Sequence, residues 1–147
     1  MNDARADDDI AARVAAALLD GVGRVVNLWS LAVTAAALVI VGLQTMPQEP
    51  AALLLASAAC GVLEAAFAAR VAFDARLFRA LGGDPDGYAV LDRLLAEWGL
   101  APAANADRPL DQRIAGARRL LTKQIVVFSI QGLAFVGGLA MLLATEM

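Results

Sequence analysis

The chain contains no histidine and only one cysteine, and these scarcities exclude several kinds of site. Histidine is the commonest general base and metal ligand near neutral pH, and it is a frequent axial ligand of haem. A single thiol, Cys60, can form neither an intramolecular disulfide nor a multi-cysteine metal site. We therefore expect no catalytic residues, no metal site and no cofactor, and we expect that the protein is not an enzyme.

An acidic turn at Asp84, Asp86 and Gly87 resembles part of a calcium-binding loop, but its spacing excludes one. An EF-hand loop needs glycine at its sixth position and glutamate at its twelfth. Counted from Asp84, these positions hold Ala89 and Leu95. The turn is therefore interpreted as a connection between two helices, with an aspartate able to cap the second one.

Three long apolar stretches dominate the rest of the chain, at residues 25–44, 51–70 and 124–144. Each is close to the ~20 residues that a helix needs to cross ~30 Å of hydrocarbon. Lipid offers the backbone no hydrogen-bond partners, so such segments are helices unless they close into a barrel. A buried helix of a soluble bundle would still carry a polar stripe, which these stretches almost lack. The sequence predicts an all-α integral membrane protein with three transmembrane helices.

The positive charges predict the orientation of these helices. Three of the twelve Lys and Arg residues precede the first span, and the other nine lie in 70–123. The positive-inside rule then places the N-terminus and segment 71–123 in the cytoplasm, and the C-terminus on the periplasmic side of a bacterial inner membrane. Because the arginines alternate with acidic residues, we expect a positive belt beside the membrane and no nucleic-acid partner.

The N-terminal segment 1–24 is acidic and amphipathic, and two interpretations of it stay open. Ile10, Val14 and Leu18 recur every four residues, as on one face of a helix. The segment can lie on the membrane surface or pack on the cytoplasmic helices, with a bend at Gly21 and Gly23. Alternatively, it is a plain extension of the first span.

Segment 71–123 is predicted to form a cytoplasmic helical hairpin that caps the bundle. The second helix continues beyond the membrane, a short amphipathic helix follows the acidic turn, and a linker at 101–106 leads into the third long helix. Leu91, Leu94 and Trp98 share one side of the short helix. These three residues are expected either to pack against the extended helices or to dock a partner.

Polar residues inside the spans are the strongest candidates for a site. Glu64 lies about six residues inside the cytoplasmic end of 51–70, or ~9 Å deep at the helical rise per residue. Ser30 and Gln131 lie at comparable depths of ~9 and ~12 Å in the other two spans. Polar groups at such depths face protein or water, so we expect these three side chains to form one intramembrane layer.

Small residues on the same helices indicate where the helices pack together. Ser57, Gly61 and Ala65 recur every four residues in the second span, as small residues do where transmembrane helices approach closely. In the third span, a seven-residue repeat of polar or small residues is formed by Gln124, Gln131 and Gly138.

Two functions follow from these features. In the first, a neutral Glu64 bonds Gln131 and holds the helices together, and the protein is an oligomerising or accessory scaffold subunit of a membrane complex. In the second, Glu64 titrates beside Gln131 and Ser30 in a homo-oligomeric channel or proton or cation conduit. The expected partners are the lipid bilayer and either other copies of the chain or other membrane-protein subunits.

Overall fold

The computed structural model describes residues 2–43, 45–99 and 109–146, and all regular structure in these ranges is helical. The helices are α1 (Asn2–Leu43), α2 (Gln48–Leu81), α3 (Pro85–Glu97) and α4 (Leu110–Glu146). Three of them, α1, α2 and α4, are long and apolar enough to cross a membrane. The predicted all-α class with three candidate spans is therefore confirmed, while the linker at 101–106 lies outside the described residues.

The three long helices exceed the thickness of a bilayer. Their 42, 34 and 37 residues correspond to ~63, ~51 and ~55 Å, against ~30 Å of hydrocarbon. The predicted spans are thus parts of longer continuous helices, and α1 runs unbroken through Gly21 and Gly23. The excess length of all three lies opposite the turn at 45–47, at an end that contains residues 5–24, 65–99 and 109–123 and is called the charged end below.

Each long helix is buried along a seven-residue repeat. The fully or nearly buried positions that follow it are Ala16, Gly23, Ser30 and Ala37 in α1, Pro50, Ser57, Glu64, Val71 and Phe78 in α2, and Ala117, Gln124, Gln131 and Gly138 in α4. Such a period underwinds the helices and packs them with a left-handed supercoil. The α2 helix packs against both α1 and α4, and these two also touch each other.

At the charged end, the N-terminal segment belongs to the core of the bundle. The buried face of α1 is formed by Ala12, Ala15, Ala16 and Leu19, which join a cluster with residues of α2, α3 and α4. The Ile10, Val14 and Leu18 side chains are instead 60%, 62% and 45% exposed. The four-residue repeat, for which the sequence leaves contact with the membrane surface or with the other helices open, therefore points away from the bundle, because alanines let the helix axes approach more closely than bulky side chains do.

The short helix α3 is held by polar contacts at both its start and its middle. Asp84 accepts a hydrogen bond from the backbone of Asp86 at 3.3 Å, as an N-cap residue does. The Tyr88 hydroxyl donates at 3.1 Å to the carbonyl of Gly82, the glycine that ends α2 with φ of 56°. Further along, the Arg113 guanidinium of α4 forms a bidentate ion pair with Asp92 of α3.

The three apolar residues singled out on α3 do not share one environment. Leu91 is half-buried and packs against the core cluster. Leu94 is 38% exposed, and Trp98, which follows the last residue of α3, is 66% exposed. The α3 helix therefore buries part of its predicted apolar side and leaves the rest of it uncovered.

Candidate functional site

Gln131 connects all three long helices through a buried layer of hydrogen bonds. Its Nε2 donates to the Ser30 carbonyl and to Thr34 Oγ1, both at 2.9 Å, and its Oε1 accepts from Ser30 Oγ at 2.6 Å. Ser57 Oγ of α2 donates to the Gln131 carbonyl at 3.1 Å. Ser30, Ser57 and Gln131 are 0% exposed. We call Ser30, Thr34, Ser57 and Gln131 the Gln131 layer, and every polar atom of its glutamine side chain has a partner.

Two glycines, one at this level and one seven residues beyond Gln131 on α4, allow the helices to approach closely. A Cβ added to Gly61 would lie 1.9 Å from Thr34 Oγ1 and 2.9 Å from Gln131 Nε2, so any side chain there would displace the layer. On α4, a Cβ added to Gly138 would lie 3.0 Å from Leu54 Cγ. Small residues give transmembrane helices the close approach that interhelical hydrogen bonds require.

Glu64 lies in a second layer, seven residues nearer the charged end. Gln124 Nε2 donates to Glu64 Oε1 at 2.6 Å and to the Gly23 carbonyl at 3.0 Å. Gly23 leaves room for this contact, since an added Cβ would lie 3.0 Å from Val71 Cγ1 and 3.5 Å from Gln124 Oε1. We call Gly23, Glu64 and Gln124 the Glu64 layer. Like the first, it joins α1, α2 and α4.

The Glu64 layer, unlike the Gln131 layer, contains unused acceptors. Glu64 Oε2 and Gln124 Oε1 are both buried, and neither has a hydrogen-bond partner among the described residues. None of the ion pairs in this part of the chain involves Glu64. A carboxylate is costly to bury with one donor, whereas a protonated carboxyl carries a donor of its own. Two acceptors of this layer therefore lack a hydrogen-bond donor among the described residues.

The structure divides the single predicted layer into two. Ser30 and Gln131 meet as expected, but the partner of Glu64 is Gln124 rather than Gln131. Gly23 and Gln124 stand at the charged-end borders of 25–44 and 124–144, so Glu64 lies level with these borders. The depth of ~9 Å, counted from Arg70 along α2 alone, stays a prediction.

Sequence reasoning also missed Thr34, Gly23 and the role of Gln124. A usable signal was the common spacing of seven residues, from Gly23 to Ser30 in α1, from Ser57 to Glu64 in α2 and from Gln124 to Gln131 in α4. Equal spacing in three packed helices places the three pairs in two matching layers. The predicted packing residue Ala65 is half-buried and lines a cavity of about 360 Å³ between α1 and α2.

Charged groups outside the apolar segments also connect the helices. Asp20 of α1 accepts hydrogen bonds from Arg79 of α2 and from Arg24, each at 3.1 Å, and the bond from Arg79 is the main reason why its pKa lies below the usual value. Asp74 lies beside a second cavity, of about 230 Å³, which is lined by residues of α2, α3 and α4. Burial raises the pKa of Asp74, and Arg70, 3.9 Å away, opposes this only in part.

Comparison of the chain with protein-family models, with curated proteins and with solved structures returns no match. The described residues also contain no group of three or more Cys, Asp or Glu side chains that could hold a metal ion. A function for the chain is therefore inferred from its own geometry.

Proposed function

We propose that the chain is a non-enzymatic subunit of a membrane assembly, which it joins through contacts with other copies of itself or with other membrane proteins. The observation that carries this proposal is the way polar and apolar groups are distributed. The polar side chains inside the bundle bond neighbouring helices, whereas within the apolar segments the outward faces of the long helices carry large exposed apolar side chains. A helical bundle with such outward faces is suited to packing against other transmembrane helices.

The interior of the bundle supports a structural role for its polar groups. The side-chain hydrogen bonds of Gln131 are all used within the layer, and Gly61 lies in tight contact with Thr34 and Gln131 beside it. A polar path for ions needs groups that can exchange partners with water or a cation. Fully bonded side chains in tight contact favour adhesion between helices over conduction.

The distribution of charge supports a bacterial inner-membrane location with the charged end in the cytoplasm. Eleven of the twelve Lys and Arg residues are described, and all eleven lie on the charged-end side of the apolar segments or at their borders. The turn at 45–47 and the end of α4 carry none. The positive-inside rule assigns the arginine-rich side to the cytoplasm, so the charged end of the bundle and α3 would face that compartment.

A second candidate function is a proton or cation conduit with Glu64 as its site. The observation in its favour is the pair of buried acceptors without partners, Glu64 Oε2 and Gln124 Oε1. A proton shared in this layer would satisfy both atoms, and a carboxyl that can also release that proton would be a functional group. The scaffold function needs the proton to stay, and the conduit needs it to leave.

Substitution of Glu64 separates the two functions. In Glu64→Gln, the new amide can accept from Gln124 Nε2 and donate to Gln124 Oε1, so both unused acceptors disappear. We expect this variant to keep the assembled mass of the wild type in detergent and Glu64→Leu to lower it, because Leu removes an acceptor of Gln124. Val62→Leu is the matched control, since Val62 is 71% exposed on the same helix.

The same variants are reconstituted into liposomes, and proton flux is followed with an internal pH-sensitive dye. The scaffold proposal expects no protein-dependent flux from the wild type or from any variant. A flux in the wild type that Glu64→Gln abolishes, with assembly intact, would replace the scaffold by the conduit. A wild-type chain that is monomeric and recovers no other chain would contradict the scaffold proposal directly.

A further inference from the structure

The face of α1 that points away from the bundle carries its own seven-residue repeat. It begins with Val14, Leu18, Gly21, Val25 and Leu28 and continues in alternate steps of four and three residues to Gly42. Every residue at these positions is apolar, alanine or glycine, and every one is exposed. We call this row the outer seam. Alternate spacing of this kind is the pattern by which one helix pairs with another in a coiled coil.

The part of the outer seam at the charged end is the decisive part. Val14 lies 11 residues before Val25, which places it ~16 Å beyond the apolar segment of α1. Lipid covers exposed side chains inside the membrane but does not reach this level, where α2 and α4 carry Arg76 and Arg118. Val14 and Leu18 are nevertheless 62% and 45% exposed, and Ile10 beside them is 60% exposed. A row of large apolar side chains in water indicates a surface that another protein covers.

We propose that the outer seam is the surface through which two copies of this chain pair side by side, with their α1 helices parallel; this inference rests on the proposed function. Copies inserted in one membrane share one orientation, so their α1 helices necessarily run in the same direction. A two-fold axis along the membrane normal then brings the same face of both copies together. The outer seam continues from the apolar segment of α1 into its N-terminal extension. A second α1, which has the same length and direction, would therefore match the seam along its whole length.

The residues flanking the seam are complementary in this parallel arrangement. Consider the residue directly before a seam position that is reached by a four-residue step, as Val25 is from Gly21. In a parallel coiled coil, that residue faces the residue five positions later in the sequence of the other helix. Arg24 of one copy would accordingly face Trp29 of the partner subunit. The side chain of Arg24 is 69% exposed and Trp29 is 63% exposed. A guanidinium over an indole face is a favourable contact, and the two-fold axis makes it twice.

The size of the surface is that of a stable interface. Nine large apolar residues of α1 are exposed on or beside the seam between positions 10 and 42: Ile10, Val14, Leu18, Val25, Leu28, Trp29, Leu31, Leu38 and Val39. At ~80 Å² each, they would bury roughly 1,400 Å² over two copies, within the ~1,200–2,000 Å² of specific interfaces. The intervening Gly21 has no neighbour within 4 Å of an added Cβ. It leaves room for the second helix.

Cysteine cross-linking tests the proposed pairing without disturbing the bundle. In a Cys60→Ala background, Val14→Cys places a thiol on the outer seam, and Val90→Cys places one on α3 at a comparably exposed apolar position. Facing seam residues lie within disulfide reach in a parallel pair. Mild oxidation in native membranes is expected to convert most of the Val14→Cys chain into a disulfide-linked dimer on a denaturing gel, and little of the Val90→Cys chain.

A charge variant provides a second and independent measurement. The double substitution Val14→Glu and Leu18→Glu puts like charges on both sides of the seam, while both positions are exposed within one chain and tolerate them. We expect it to halve the protein mass measured in detergent by light scattering. Val90→Glu is the control and should leave that mass unchanged.

The outcomes separate this inference from the proposed function. An oligomer that survives the double substitution, with no Val14→Cys cross-link, overturns the seam but not the function. Equal cross-linking at Val14 and Val90 overturns the seam as well, because it would come from random collision. Co-purification of a different chain that the double substitution abolishes, without self-pairing, replaces the second copy as the occupant. A monomer that binds no other chain overturns both proposals.

Discussion

Gly61→Ala should destabilise the bundle, although alanine is the better helix former. The added methyl group would lie 1.9 Å from Thr34 Oγ1, and Thr34 is β-branched and has few alternative positions in a helix. The hydroxyl must move, and its bond from Gln131 Nε2 at 2.9 Å is then lost. Overpacking a helix contact costs ~1–3 kcal/mol, and an interhelical hydrogen bond in a membrane contributes ~0.6 kcal/mol.

Opposing this loss is the helical preference of alanine over glycine, which amounts to ~0.5–1 kcal/mol. The expected net effect is therefore a decrease of roughly 1–3 kcal/mol in the free energy of unfolding. The matched control is Gly132→Ala on α4, because a Cβ added to Gly132 meets nothing within 4 Å. In that variant only the helical preference of alanine over glycine changes the free energy of unfolding. It should therefore be as stable as the wild type or slightly more stable.

Reversible unfolding in mixed detergent micelles, followed by circular dichroism, measures both variants under one condition. Adding Thr34→Ala to Gly61→Ala should recover part of the loss, because it removes the atom at 1.9 Å while the Thr34 Cβ remains at 3.2 Å. The two substitutions should thus cost less together than separately. Equal stability of Gly61→Ala and Gly132→Ala, or additive effects of Gly61→Ala and Thr34→Ala, would refute the close contact.

Three further predictions concern the charged end and the orientation. Burial raises the pKa of Tyr88, the single tyrosine, from 10.0 to about 12. The folded state should therefore lose stability as the pH rises from about 10 through about 12. Absorbance titration should show a midpoint near 12 that returns to about 10 in denaturant. A folded-state midpoint near 10 would contradict this. Trp98→Ala should change the unfolding free energy by less than ~1 kcal/mol, since the ring is 66% exposed, and a loss near 3 kcal/mol would show that it is packed. With Cys60 replaced, Thr45→Cys should react with an impermeant thiol reagent outside the cell and Asp86→Cys should not; the reverse would invert the orientation.

The arrangement of helices at the charged end could be predicted only in part. The sequence indicates that a helix precedes the first span, but hydrophobicity alone selects the wrong face of it. Ile10 and Val14 are more apolar than Ala12 and Ala16, and yet the alanines are buried. The gain from close packing along several turns decides which face turns inward, and it depends on the shapes of α2 and α4 at that level.

The sequence by itself determined the all-α class, the three apolar helices and the seven-residue repeat of Gln124, Gln131 and Gly138. These properties are local, because a backbone in hydrocarbon must satisfy its own hydrogen bonds within a helix. The tertiary structure alone decided that Glu64 meets Gln124 while Gln131 meets Ser30. A partner on a neighbouring helix depends on the relative shift of the two helices along their axes. That shift is set by contacts between helices, such as Gly61 against Thr34. Counting residues along one helix cannot reveal such contacts.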